Sequence, residues 1–314
     1  MTSAVQEKKL WYTRLRALLP QWNQDTLTIT LFLLPTIIFM GVFVIWPIVN
    51  SFQLSFYKWN GIAPTRNYIG LDNWTRLLED DIFFKAFGNN LKVVMLSIAI
   101  QIPLGMGLAI LLEQGGRFFL FRIFKTVYFF PMLMSSVAIG ILFKYIYDPV
   151  FGLVNPALES VGLENWTRAW LGNTDTALYA VIGVISWQYT PFYMILFLAA
   201  LSGVPEELRD ASLIDGANER RYYWHIALPM VRGTVRTAVI LSLIGSLKYF
   251  DLIWVMTEGG PNNASELMAT YMYKKAFPSF EVGYGSTVAS ALFIIVMVLA
   301  VAMFTLTRRY ETEV

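Results

Sequence analysis

Hydrophobic positions in this chain gather into six long runs, about 28–51, 89–112, 124–147, 177–201, 235–257 and 284–307. Each is close to the roughly 20 residues that a helix needs to cross a bilayer core. The pattern predicts an all-α, polytopic membrane protein with six transmembrane helices. A single membrane domain is expected over 28–308, with a tail at 1–27 and a short one at 309–314. An even number of crossings puts both termini on one side. Pro35, Pro47, Pro103, Pro131 and Pro191 fall within four of the runs, where each removes a backbone hydrogen bond and favours a bend.

The polar positions fall between the runs. Residues 1–27 mix Lys8, Lys9, Arg14 and Arg16 with Leu10, Trp11, Leu15 and Leu18, as an amphipathic helix on an anionic lipid surface would. The first run starts near Thr28 and, at about 23 residues, is too long for the apolar core of a cleavable signal peptide, so it reads as an anchor. Lys and Arg collect in the tail, beside 117–125, in 205–232 and at Arg308 and Arg309; segments 52–88, 148–176 and 258–283 hold half of the acidic residues and fewer basic ones. By the positive-inside rule both termini and the 202–230 loop are expected in the cytoplasm, and those three segments outside.

That loop is the most charged stretch between two runs. Glu206, Glu207, Arg209, Asp210, Asp215, Glu219, Arg220 and Arg221 lie between Pro205 and Pro229. Pro205 followed by acidic residues is a helix start. Leu208, Ala211, Ser212 and Ile214 or Asp215 recur near helical spacing, and Gly216 stops or kinks the helix. A second short helix over 220–226, ended by Leu228-Pro229, completes a two-helix corner. Small Ala211 and Ser212 allow close approach there, and Glu206, Asp210 and Asp215 offer carboxylates to a basic groove on a partner. The bland alternative is an inert solvated hairpin.

Composition narrows the function. Of 314 residues 56% are hydrophobic and 15% charged, against about 25% charged in soluble proteins. A net charge of +2 gives no reason to expect a nucleic-acid partner. There is no cysteine and only one histidine, His225, which excludes thiolate metal sites, cysteine nucleophiles and histidine-rich centres. No phosphate-loop sequence occurs, so the chain has no such ATP site of its own.

Asp210-Ala211-Ser212, three residues, Gly216, nine residues, Ile226, one residue, Leu228-Pro229 resembles the EAA loop of ABC-type import permeases, with Asp for Glu and Ser for Ala. Tyr68 to Trp74, Asp148 to Asn155, Trp170-Leu171, Ile214 to Ala217 and Thr257-Glu258-Gly259-Gly260-Pro261 resemble the carbohydrate-uptake branch, the maltose- and glycerol-phosphate-transporter-like group. The resemblance implies the type I importer permease fold in the inner membrane. It also implies a second homologous permease, two ATPase subunits that bind ATP and Mg and receive Glu206, Glu207, Asp210, Ala211, Ser212, Asp215 and Gly216, and an extracytoplasmic solute-binding protein. A permease for a peptide or amino acid, a secondary transporter or channel working alone, and a membrane enzyme are the rivals.

A sugar pathway needs hydroxyls, amides and aromatic faces inside the bundle. Ser242, Gly245, Ser246 and Tyr249 share one helical face of the fifth run; Tyr189 and Tyr193, with Ser186, share one of the fourth, with Gln188 beside it. Close helix packing by small residues is the competing explanation. Lys248 and Asp251, three apart, are expected to form an intrahelical ion pair. Trp46, Trp254 and Tyr310 fall where an interfacial aromatic belt would. Lys274, Lys275 and Tyr271 to Tyr273 are expected outside, facing solvent or a solute-binding protein.

Overall fold

The computed structural model describes residues 24–115 and 119–308, so most of the 1–27 tail and the 309–314 tail, with Tyr310, lie outside them. Among the described residues the chain is helical apart from one two-stranded hairpin. It falls into two compact units, Met1–Gln53 and Leu54–Val314.

The first unit is a spanning helix built from α1 (Gln24–Met40), a π-helical turn at Gly41–Ile45 and α2 (Trp46–Leu54). Over Thr28–Leu54 it is apolar on all sides, and none of it is buried. The wide turn sits just before Pro47, whose ring crowds the carbonyl four residues back and whose nitrogen cannot bond it. A second π-helical turn, Tyr223–Ala227, stands in the same relation to Pro229.

The second unit opens with the hairpin β1 (Tyr57–Lys58) and β2 (Asn67–Tyr68), Tyr57 pairing with Tyr68. Then come α3 (Asp72–Leu78), α4 (Asp81–Gly115), α5 (Phe119–Leu133), α6 (Ser136–Ile146), α7 (Val154–Ser160) and α8 (Ala177–Leu201). The polar loop forms α9 (Glu206–Ile214) and α10 (Glu219–Tyr222), which continues through the π turn into α11 (Leu228–Met230). α12 (Arg232–Leu247), α13 (Asp251–Thr257), α14 (Met268–Ala276) and α15 (Val282–Arg308) complete it.

Four helices are long and apolar enough to cross a membrane, and two bent pairs bring the number to six. The fourth run coincides with α8, because its residues are largely apolar and mostly buried. The second begins eight residues earlier than its polarity suggests. Asn89 and Asn90, which look like a boundary, are buried inside α4 and hydrogen-bond outward to other segments.

The third and fifth runs are not single helices. α5 and α6 meet at 100°, the break falling at 134–135, after Pro131 and not before it. α11 and α12 meet at 67°, and α12 stops at Leu247. Lys248–Phe250 is unwound before α13 begins. The break is stable because the amide of Asn90 donates to the Leu247 carbonyl that the helix end leaves open (3.2 Å).

α4 packs along α8, and both main cores form on this pair. One gathers Val93, Val181, Ile185, Leu252 and Ile253; the other Ile102, Phe197, Tyr222, Tyr223 and Val231. Gly105 lets the two backbones meet: a Cβ there would lie 3.0 Å from the nitrogen of Met194. A third core, with Leu77, Phe83, Met268, Tyr271 and Tyr284, binds the hairpin side of the unit together.

Candidate functional site

The polar loop is a two-helix corner. Pro205 stands just outside α9 in extended conformation, one position earlier than expected, and Glu206 and Glu207 fill the first turn, where free N–H groups favour negative charge. At the other end the N–H of Ala217 reaches the Ser212 carbonyl (2.9 Å) and that of Gly216 the Leu213 carbonyl (3.1 Å). This is a Schellman cap, and Gly216 supplies its left-handed residue at φ 80°. Asn218 then caps α10, its side chain accepting from the Arg221 N–H (3.0 Å). Arg209 bridges the two helices through Glu219 (2.6 Å), and the Tyr223 hydroxyl donates to Glu113 near the end of α4.

Glu206, Glu207, Asp210, Ala211, Asp215 and Gly216 are all exposed on this corner. Ser212 is not: it is buried, with its hydroxyl donating to the Arg209 carbonyl (2.7 Å), so it holds the helix instead of presenting a surface. Leu208, Leu213 and Ile214 are exposed on the same helix, Ile214 at 86%. Of the positions at helical spacing, only Ser212 is covered by the rest of the chain.

A cavity of about 530 Å³ lies between α8 and the broken fifth span. Tyr189 and Tyr193 line it from α8, Ser242 and Gly245 from α12, and Lys248, Tyr249, Phe250 and Asp251 from the unwound stretch and the start of α13. The rings of Tyr189 and Tyr249 are 5.6 Å apart. Ser246 and Gln188 do not line it; both are 1% exposed within the helix packing. Tyr249 reaches the wall although it lies past the helix end, so the shared helical face expected from spacing is replaced by a shared cavity. The ion pair expected of Lys248 and Asp251 is absent: the turn that would join them is unwound, and neither carries a polar partner among the described residues.

The segments at the far end of α4 form a tied cap. Asn89 donates to the carbonyls of Ala264 and Glu266 (both 3.0 Å), and Asn90 accepts from the Met268 N–H (2.9 Å). Glu266 is fully buried and paired with Lys274, close against Gly259. Asp80 caps α4 and takes the hydroxyls of Tyr271 and Tyr284. Burial works to raise the Asp80 carboxyl, but those hydroxyls and the N–H groups of Phe83 and Ile82 outweigh it and hold it below the usual range. Arg76 grips Glu281 with both guanidinium nitrogens, and Lys275 adds a longer contact (3.6 Å). Lys274, Lys275 and Tyr271 are thus structural, not a free face. Trp254 packs against Phe250 and Tyr273 (4.7 Å to the latter).

Residues 101–313 match the family described as binding-protein-dependent transport system inner membrane component. A probable ABC transporter permease protein of Bacillus subtilis, YurN, is 36% identical, the alignment covering 88% of this chain and 95% of the relative. The diacetylchitobiose uptake system permease protein NgcF of Streptomyces coelicolor is 33% identical over 86% of this chain and 80% of its own. A chain in the crystal structure of a bacterial ABC transporter involved in import of the acidic polysaccharide alginate superposes with a TM-score of 0.78. It is 23% identical and covers 96% of this chain and 99% of that one.

Proposed function

The chain belongs to the family of binding-protein-dependent transport system inner membrane components, and from that premise we propose that it is half of the membrane pathway of an ATP-driven sugar importer. The observation that carries the coupling role is the α9–α10 corner: a helix capped at Gly216, exposed on its acidic and apolar positions alike, and tied to α4 through Tyr223 and Glu113. Such a corner can receive a push from a soluble partner and pass it to a spanning helix. Two ATPase subunits, which hold ATP and Mg, are the proposed partners. A second homologous permease completes the pathway, and a solute-binding protein delivers the cargo from outside. Both termini and the α9–α10 corner are then cytoplasmic.

The sugar class rests on the diacetylchitobiose relative and on the cavity. Tyrosine rings, hydroxyls and charged groups around a volume in the small-molecule range suit a polyhydroxylated solute. A carrier working without ATPases is the rival. Asp210→Lys places a cation on the exposed acidic face and leaves the cores untouched. It is expected to abolish co-purification of the ATPase subunits and sugar uptake while the permease is still inserted at parental levels. Parental ATPase binding and uptake in this variant would sink the coupling role.

A further inference from the structure

We propose that Lys248 and Asp251 form a charge-balanced polar site in the cavity, which admits an uncharged polyhydroxyl solute and rejects a net-charged one. The proposal rests on the reading of this cavity as the solute pathway. A charged side chain at membrane depth is costly and is kept only where it pairs or meets a polar ligand or water. On one continuous helix this cation and anion would be three residues apart and could neutralise each other. The chain instead unwinds at Lys248–Phe250, and Asn90 stabilises the unwinding. Both side chains are exposed, both line the cavity, and neither has a polar partner among the described residues.

The two groups differ in what they can bond. The ammonium only donates and the carboxylate only accepts, whereas a sugar hydroxyl does both. A neutral sugar can therefore satisfy both groups, with Tyr189 and Tyr249 offering ring faces beside them. A uronic acid would face the Asp251 carboxylate, and an amino sugar the Lys248 ammonium, in the same cavity. Each would leave one like charge opposed, which is how a site discriminates by repulsion as well as attraction.

The chain has no cysteine, which permits a direct test in the fully assembled transporter. Tyr249→Cys is labelled by a cationic and an anionic thiosulfonate reagent of similar size. In this background the two rates are expected to be comparable. Lys248→Gln should bias labelling about fivefold or more towards the cationic reagent, and Asp251→Asn by a similar factor towards the anionic one. Excess neutral disaccharide should slow both reagents, while glucuronate and glucosamine should not. Rates that neither substitution changes, or equal protection by all three sugars, overturn the proposal. Labelling that follows the expected charge bias with no protection by the neutral sugar also overturns it. An unreactive Tyr249→Cys would overturn the pathway reading together with this one. Loss of uptake in Tyr249→Ala alongside unchanged labelling ratios would leave the pathway standing and remove only the charge selection.

Discussion

Gly216 shows how one backbone angle holds a functional element. Its φ of 80° closes the Schellman cap of α9, yet a Cβ placed there would meet nothing within 4 Å. The requirement is conformational, not steric. A β-branched residue should cost about 1–2 kcal/mol in this left-handed position, while asparagine, which visits it readily, should cost less. Gly216→Val is therefore expected to weaken ATPase association more than Gly216→Asn, measured by co-purification. Equal defects would mean that the site reads surface shape and not the turn.

Asp80 makes a second prediction at this scale. Its folded carboxyl is held below the ordinary range by the tyrosine hydroxyls and cap N–H groups that outweigh burial. A depressed acid contributes stability above its unfolded value and loses it as pH falls through the folded one. Thermal stability in detergent should therefore drop between the unperturbed carboxylate value and more acid pH. Asp80→Asn should flatten that part of the profile. An unchanged profile would argue against the Tyr271–Asp80–Tyr284 cluster.

At the scale of elements, the α9–α10 corner is held by two ties of unequal weight. Asn218→Ala removes an N-cap and should cost about 1 kcal/mol. The Arg209–Glu219 bridge is partly exposed, at 30% and 41%, and such pairs are worth about 0.2–1 kcal/mol. Arg209→Glu should weaken the corner modestly and the exchange with Glu219→Arg should restore it, read as protection of the loop from hydrogen exchange. No recovery in the double variant would show that the bridge is incidental.

How far the elements could be read from the residues depended on where polarity fell. α8 was legible end to end because apolar positions and burial coincide over Ala177–Leu201. The corner was legible because Pro205, Gly216 and Pro229 each fix a backbone feature. The start of α4 was not, since Asn89 and Asn90 bond to residues far along the chain and no local pattern announces that. Nor was the break at Lys248–Phe250, which has no proline or glycine of its own and is held open by Asn90 from another helix. That break is also why Tyr249 meets Ser242 at one cavity while Ser246 stays in the packing.

At the scale of the molecule, orientation is the property that the charge bias predicts and that labelling can check. Phe151 and Ile214 are 89% and 86% exposed, in segments expected on opposite sides of the membrane. A membrane-impermeant maleimide added to intact cells should reach Phe151→Cys and spare Ile214→Cys. Inverted vesicles should reverse the outcome. Labelling of both from the same side would overturn the six-crossing topology.

The Asn89 and Asn90 bonds have a consequence in time. Their partners lie 175 to 178 residues further along for Ala264, Glu266 and Met268. At a synthesis rate of about 5–20 residues per second, the ribosome needs roughly 10–35 s to reach them after the asparagines have emerged. The Asn90 amide nitrogen can meet the Leu247 carbonyl earlier, 157 residues along, but the Asn89 amide and the Asn90 oxygen wait for residues 264–268. The cap thus closes only after synthesis has passed residue 268.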